Sequence, residues 1–238
     1  MLRCSVRVFD TPHLAAAAAG DAFIDGVSKF SRRLAGLAAG RTMKPVYDHL
    51  VSAEARSSGL FSGTAFVQLD EVVSPVRGDA SFSEEIDRHL LSRLSGGYKT
   101  FLVINGQTNQ PDLEANRHQE AILDNGGLGV QLLGIGVNGH VGFNEPGCET
   151  DSRCRVTELA MSTLERNGYP PGTRAVTLGI AEITSAQRII IVATGAAKSP
   201  AVTAMIEGPK SGACPASLLR GHPDLTLFLD RAAAKDLS

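Results

Sequence analysis

The sequence of 238 residues contains no tryptophan, few aromatic residues and no cluster of basic side chains. Its formal net charge at pH 7 is −2. Proteins that bind nucleic acid or a membrane surface through general electrostatics carry an excess of positive charge, so the composition argues against both kinds of partner. We therefore expect a small-molecule ligand that is held by a few local charges.

The four cysteines form no recognisable framework. Cys4, Cys148, Cys154 and Cys214 include no CxxC pair, which is typical of reduced thiols in a cytoplasmic protein. A zinc site made of Cys148, Cys154 and His140 is the alternative, but its spacing is not that of a zinc finger.

Long apolar runs are also missing, and none approaches the length that spans a membrane. The segment 11–20 is rich in alanine but is interrupted by Pro12 and His13, so it predicts the start of a helix and not a signal peptide. Hydrophobic residues make up 43% of the chain, enough for a sizeable core. The length favours a single domain that spans residues 1–238.

Short apolar segments alternate with segments of helical periodicity along the whole chain. The predicted strands are 5–9, 33–38, 64–69, 101–104, 128–135, 156–159, 174–178, 188–193 and 226–229. The predicted helices are 11–30, 42–51, 83–94, 113–123 and 197–207, and the segment 166–173 is predicted to be a mobile loop. This alternation predicts an α/β fold with a mostly parallel sheet and helices on both faces, whose loops after the strands share one cleft.

The segment 132–147 reads LLGIGVNGHVGFNEPG and is the most informative part of the sequence. An apolar strand leads into glycines that permit tight turns, and His140 follows them. A lone histidine is more often structural. Here Asn138 and Glu145 are close enough in sequence to hold its ring, which favours a catalytic role.

The segment 36–42, GLAAGRT, is interpreted as a strand, a turn of small residues and the start of a helix. Such a turn directs backbone N–H groups at an anion, and the helix dipole adds positive potential. Arg41 and the Thr42 hydroxyl would add polar contacts. The alternative is a simple turn in which Thr42 caps the helix.

Two further features of the sequence have both a functional and a structural interpretation. Asp70 and Glu71 follow a predicted strand, where one carboxylate could act as a general base or could cap a turn. Lys198 begins a predicted helix, where a bound anion would offset its unfavourable interaction with the helix dipole. An exposed lysine is the alternative.

The segment 138–147, NGHVGFNEPG, resembles the glucosamine-6-phosphate deaminases (isomerases), which share a superfamily with the 6-phosphogluconolactonases. The Phe-Asn-Glu-Pro element favours the deaminase branch. The resemblance covers nearly the whole chain and continues through 36–42, 69–71, 105–106, 113–122, 176–179, 195–198 and 222–223.

This resemblance implies a modified Rossmann-like, doubly wound fold and the conversion of glucosamine 6-phosphate to fructose 6-phosphate and ammonia. It implies neither a metal nor an organic cofactor. His140 would open the sugar ring, Asp70 would move a proton from C2 to C1, and Glu145 with Asn138 would orient His140. The implied contacts to the sugar phosphate are Ala38, Ala39, Gly40, Arg41, Thr42, Gly139, Arg166 and Lys198.

The sequence departs from the family pattern at three positions. Asn138 stands where some members have aspartate, so Glu145 would be the carboxylate that charges His140. Arg41 in the phosphate loop is more similar to the lactonase branch. Tyr169 falls where the family has a phosphate-binding arginine, and Arg41, or else Arg166, would replace that charge.

These departures leave two alternatives open. One is a lactonase that acts on 6-phosphogluconolactone, and the other is a sugar-phosphate sensor that has lost turnover. The resemblance leaves the oligomeric state open between a monomer and a homo-oligomer.

Overall fold

A computed structural model describes residues 4–31, 34–73 and 81–238 of the protein. The strands in this part are Ser5–Phe9 (β1), Leu34–Leu37 (β2), Ala65–Gln68 (β3), Asp70–Val73 (β4), Thr100–Leu102 (β5), Leu128–Gly134 (β6), Arg155–Glu158 (β7), Arg174–Thr177 (β8), Arg188–Ala193 (β9) and Leu225–Asp230 (β10). The α-helices are Pro12–Lys29 (α1), Lys44–Arg56 (α2), Phe82–His89 (α3), Pro111–Asp124 (α4), Met161–Asn167 (α5), Ile180–Thr184 (α6) and Ser199–Ile206 (α7). Short 3₁₀ helices cover Leu91–Arg93, Ala196–Lys198 and Pro215–Gly221.

The strands of the described residues form two sheets. Seven parallel strands make the larger sheet, in the order β1-β10-β9-β6-β2-β3-β5. The predicted mostly parallel sheet is therefore confirmed. A smaller antiparallel sheet of β4, β8 and β7 was not predicted, because nothing local in its short strands reveals their pairing.

The strand order shows that the larger sheet is wound in two directions. After β1, β2 and β3 the chain moves toward the β5 edge, and after β5, β6 and β9 it moves back toward the β1 edge. Right-handed crossovers then place α1 and α2 on one face and α4 and α7 on the other. The two directions diverge between the neighbouring strands β2 and β6, and ligands of such sheets bind at the carboxyl ends of the strands at this point.

The central strands supply the core because they are covered on both faces. All residues of β2 are buried, as are Ile189–Ala193 in β9, in line with the continuous apolar runs of parallel sheets. The predicted strand 188–193 is confirmed at both ends. The predicted strand 33–38 is observed at Leu34–Leu37, and Arg33 lies outside the described residues. No helix in the described part of the chain is long and apolar enough to cross a membrane.

Two local predictions were wrong. Thr42 does not cap α2, because residues after Gly40 form a turn that Met43 N–H closes onto Gly40 O, and Met43 becomes the N-cap residue. Arg166 does not lie in a loop but in the last turn of α5. That helix ends at Gly168, whose φ of 72° places it in the left-handed region that glycine tolerates.

Asp70 lies where the chain passes from one sheet to the other. β3 ends at Gln68, and Asp70 is the first residue of β4, where it pairs with Thr177 of β8. The predicted strand end is thus a junction between two strands, and both flanking segments hold the backbone of Asp70 in place.

Candidate active site

A cleft of about 230 Å³ opens at the carboxyl ends of β2 and β6, where the two winding directions diverge. The segment after β2 contributes Ala38, Ala39, Gly40, Arg41, Thr42 and Met43. The segment at the end of β6 contributes Gly134, Ile135, Gly136, Val137, His140, Gly142 and Phe143. The remaining lining residues are Leu69, Asp70, Phe82, Thr163, Arg166, Asn167 and Lys198.

A tight loop after β6 presents His140 to this cleft. Gly136 N–H donates to His140 O at 2.8 Å, and Gly139 N–H donates to Gly136 O at 3.1 Å. A methyl group at Gly136 would overlap the imidazole ring of His140. The glycine therefore allows the ring to lie directly against the loop backbone.

Glu145 holds the imidazole ring of His140 from behind. His140 Nδ1 lies 3.2 Å from Glu145 Oε2, and Glu145 is only 7% exposed. Because an ionised carboxylate only accepts hydrogen bonds, Nδ1 donates and Nε2 is left free of the proton. Burial alone would raise the pKa of Glu145, but the hydrogen bond and charge of His140 and donors from Thr163 and Asn138 lower it below its ordinary value.

Asn138 supports this pair but does not line the cleft. Its Nδ2 donates to Glu145 Oε2 at 2.8 Å, and its Oδ1 accepts from His140 N–H at 3.2 Å. The neutral side chain ties the histidine backbone to the carboxylate without adding a charge. Glu145 is therefore the carboxylate that contacts His140 among the described residues.

The side chain of Asn144 holds the turn between His140 and Glu145 in place. Its side-chain amide donates to Val141 O at 3.0 Å and to Leu178 O at 2.8 Å, and its Oδ1 accepts from Ser152 and Arg155. These contacts fix the turn that returns Glu145 to His140. Phe143 stacks on Phe82 of α3, with ring centroids 5.9 Å apart.

Asp70 lies in the same cleft and is 7% exposed. Within residues 4–31, 34–73 and 81–238, no group donates a hydrogen bond to its carboxylate. Burial, together with the neighbouring charge of Glu71, raises the pKa of Asp70 to about 8. A carboxyl group with this pKa can both take up and release a proton near neutral pH.

Glu71 has a different environment although it is the next residue. Its Oε1 accepts from the N–H groups of Val72 and Phe82, and its Oε2 accepts from Ser83 N–H and Gln68 Nε2, at distances of 2.8 to 3.2 Å. Burial raises the pKa of Glu71, and these four donors oppose that rise. The sequence could not separate the two carboxylates, whereas their hydrogen bonds do.

Three cations also line the cleft: Arg41, Arg166 and Lys198. Lys198 Nζ donates to Ile135 O at 2.5 Å. Burial, together with the charges of Arg166 and Arg41, lowers the pKa of Lys198 to about 8. The two arginines oppose the charge of Lys198, and a bound anion would offset this repulsion.

The loop after β2 offers fewer backbone donors than the sequence predicted. Gly40 N–H donates to Glu85 Oε1 of α3 at 3.0 Å, so the predicted contact of this N–H group with a ligand anion is not available. In the described structure, no protein group accepts from the N–H groups of Arg41 and Thr42 or pairs with the Thr42 hydroxyl. Those groups remain for a ligand.

Gly139 was predicted to contact substrate but does not line the cleft. Its N–H donates to Gly136 O, and its carbonyl accepts from Ala216 N–H, so both backbone groups are used within the protein. Its φ is +87°, and a methyl group at this position would lie 2.8 Å from the sulphur of Cys214. Gly139 therefore shapes the histidine loop by allowing it to pack closely.

Sequence reasoning missed Thr163, whose hydroxyl donates to Glu145 Oε1 at 2.5 Å. The two residues are 18 positions apart, and Thr163 reaches Glu145 because it lies at the start of α5. No local sequence pattern indicates this contact.

Tyr169 packs outside the cleft in a small apolar cluster with Phe143 and Leu164. In the part of the chain described, no group of three or more His, Cys, Asp or Glu side chains could hold a metal ion, which leaves the zinc alternative unsupported.

We predict that Gly139→Ala lowers the free energy of unfolding by about 2–4 kcal/mol, because strain at positive φ adds to the contact with Cys214. Gly147→Ala is the matched control, since Gly147 has a φ of +96° and open space around it. Urea denaturation of both variants measures the difference. Equal losses in the two variants would show that packing against Cys214 is unimportant.

Comparison with known proteins gives consistent matches over nearly the whole chain. The family model for glucosamine-6-phosphate isomerases/6-phosphogluconolactonase matches residues 13–227. A glucosamine-6-phosphate deaminase from Colwellia psychrerythraea is 34% identical, over 98% of this chain and 90% of the relative. A solved monomeric glucosamine-6-phosphate deaminase superposes with a TM-score of 0.89 at 29% identity and covers 97% of this chain and 99% of that one.

A 6-phosphogluconolactonase from Trypanosoma brucei shares the fold, with a TM-score of 0.80 at 20% identity over all of both chains. The family match covers far more than half of the chain, and the identity to a deaminase extends from end to end. The chain belongs to the family of glucosamine-6-phosphate isomerases/6-phosphogluconolactonases.

Proposed function

We propose that this chain, as one domain of residues 1–238 in the cytoplasm, converts glucosamine 6-phosphate to fructose 6-phosphate and ammonia. The observation that carries the proposal is one cleft that combines three cations, a histidine held by a carboxylate, and a buried carboxylate that accepts no hydrogen bond from the described residues. The deaminases to which it is similar are named for this substrate.

The phosphate of the substrate would bind among Arg41, Arg166 and Lys198. Charge-assisted hydrogen bonds from these side chains, with the unused N–H groups of Arg41 and Thr42, neutralise the dianion. Binding the phosphate at one end of the cleft positions the sugar ring against His140 and Asp70. This fixed orientation is itself a large part of what such an enzyme contributes.

His140 would open the pyranose ring. Nε2 of His140 takes the proton from the C1 hydroxyl and delivers it to the ring oxygen as the bond between C1 and the ring oxygen breaks, which gives the open-chain aldehyde. Glu145 stabilises the positive ring and keeps its orientation during this transfer. Glu145 and Asn138 act through His140 and do not touch the substrate.

Asp70 would then take the proton from C2, which gives an enolamine, and return a proton to C1. The resulting ketose imine is hydrolysed by water to fructose 6-phosphate and ammonia. A base that serves two adjacent carbons must be ionised to accept the first proton and able to release it again, and a pKa of about 8 suits both demands.

Hydrolysis of 6-phosphogluconolactone is the second candidate function, and Arg41 in the phosphate loop is the observation that favours it. The contacts of Asn144 and Glu145 argue for the deaminase, because they build the support of His140 from the Phe-Asn-Glu-Pro element. A sensor without turnover needs the cations but neither Asp70 nor the His140–Glu145 pair. Assays of ammonia and ketose release from glucosamine, galactosamine and mannosamine 6-phosphates, beside acid release from the lactone, separate these possibilities.

We predict a narrow, bell-shaped dependence of kcat/KM on pH with its maximum near pH 8. Below this value Asp70 is protonated and cannot accept the C2 proton, and above it Lys198 loses the charge that binds phosphate. Lys198→Arg keeps a positive charge at high pH. This variant is expected to move only the alkaline limb upward.

Titration of the substrate is common to wild type and Lys198→Arg, so the difference between the two profiles isolates the lysine. If the alkaline limb is identical in both enzymes, the charge of Lys198 does not contribute to binding of the phosphate.

We predict that Arg41→Ala raises the KM for the phosphorylated substrate by roughly 10- to 150-fold, since a charged hydrogen-bonded contact contributes about 1.5–3 kcal/mol. Arg56→Ala is the control, because Arg56 is exposed at the end of α2 and does not line the cleft. Steady-state kinetics of both variants measure the KM values. An unchanged KM in Arg41→Ala would show that Arg41 does not contact the phosphate of the substrate.

A further inference from the structure

A buried side chain links the two acidic residues at the β3–β4 junction. Gln68 is fully buried, and its amide makes three hydrogen bonds. Oε1 accepts from Ile104 N–H at 2.9 Å, while Nε2 donates to Asp70 O and to Glu71 Oε2, each at 2.8 Å. Gln68 therefore contacts the backbone of one acidic residue and the carboxylate of the next.

His118 of α4 holds the backbone of Gln68 from below. It is fully buried, with Nε2 2.9 Å from Gln68 O, and the carbonyl accepts, so Nε2 carries the hydrogen. Its Nδ1 has no partner within the described residues. Burial lowers the pKa of His118 to about 4, so the ring supports Gln68 without adding a charge near the acidic pair.

We propose that Gln68 is a positioning residue that keeps Glu71 ionised, so that Asp70 is the carboxyl group that takes up and releases a proton near neutral pH. The inference rests on the proposed function, in which Asp70 carries a proton between C2 and C1. Burial and the charge of Glu71 both oppose the ionisation of Asp70, so Asp70 retains its proton near neutral pH while Glu71 is ionised. The location of the proton decides which of the two carboxyl groups titrates in the pH range of catalysis.

Hydrogen bonds determine this location. The four donors around Glu71, among them Gln68 Nε2, bind its ionised form more strongly than its neutral form. The carboxylate of Asp70 has no such donor in the described part of the chain. Loss of the Gln68 donor would make Glu71 a better acceptor of the proton and would leave Asp70 ionised at lower pH.

The other charged groups near Asp70 and Glu71 make no hydrogen bond to the Gln68 amide within the described residues, so its loss removes none of their contacts. Tyr47 of α2 lies within electrostatic reach of both Asp70 and Glu85, and burial together with those charges raises its pKa. The remaining charged or titratable groups of the cleft and its surroundings are Arg41, Glu85, His118, His140, Glu145, Arg166 and Lys198. Of these groups, His118 alone is hydrogen-bonded to Gln68. The bond is made to the backbone carbonyl of Gln68 and not to the side-chain amide of Gln68.

The test is the pH dependence of kcat/KM in Gln68→Met. The acidic limb is expected to move to lower pH by on the order of one pH unit, since the proton passes toward Glu71. Gln131→Met is the matched control, because Gln131 is an equally buried glutamine of β6 whose amide donates to Leu132 O and to no carboxylate. It is expected to lose stability without moving the limb.

Glu71→Gln removes the competing carboxylate and is expected to move the limb in the same direction. The double variant Gln68→Met/Glu71→Gln should move it no further than Glu71→Gln alone, which a merely structural role for Gln68 would not produce. An acidic limb that stays in place or moves upward in Gln68→Met overturns the proposal. If that variant does not fold, Gln68→Asn, which is too short to reach Glu71, is judged by the same outcomes.

Carbon-13 NMR titration of the Asp70 carboxyl group, assigned with Asp70→Asn, gives the comparison without turnover. A lower Asp70 titration midpoint in Gln68→Met supports the role of Gln68 even if wild type releases no ammonia, in which case only the proposed function fails. An unchanged midpoint in a variant series with an active wild type overturns the role of Gln68 alone.

Discussion

The candidate site depends on a buried carboxylate to which no group in residues 4–31, 34–73 and 81–238 donates a hydrogen bond. Asp70 is almost inaccessible to solvent and next to a second acidic residue, and both facts oppose its ionisation. Its folded-state pKa lies above the ordinary value of 3.8, so ionisation of Asp70 reduces the stability of the fold as the pH rises toward about 8. The end of β3 and the pairing of Asp70 with Thr177 of β8 fix the position of its backbone.

The divergence of the sheet between β2 and β6 explains why the other groups meet Asp70. The loop after β2 brings Arg41 and Thr42, and the loop after β6 brings His140, to one edge of the sheet. Asp70, the first residue of β4 in the antiparallel sheet, lies at the same edge. The same cleft therefore holds both the three cations and the groups that could transfer a proton.

The sequence predicted the elements that depend on local patterns. The run of apolar residues in β9 gave its exact bounds, and the glycines around His140 predicted a tight turn after β6. Long-range contacts could not be predicted. Glu85 occupies Gly40 N–H from 45 positions away, Thr163 reaches Glu145 from 18, and the pairing of β4 with β8 spans about a hundred residues. Asp70 and Glu71 differ in their hydrogen-bond donors, and two of the donors to Glu71 come from the start of α3, which neighbouring sequence does not reveal.

The transfer of a proton by Asp70 is tested most directly by Asp70→Asn, which keeps the size of the side chain and removes its basicity. Ammonia and fructose 6-phosphate release from glucosamine 6-phosphate would be measured for wild type and variant at pH 8, with binding of the substrate checked by calorimetry. We expect the variant to bind the sugar phosphate and to lose turnover by at least about 10²-fold, the usual contribution of a general base. Ammonia release at the wild-type rate from Asp70→Asn would contradict the assignment of Asp70 as the base.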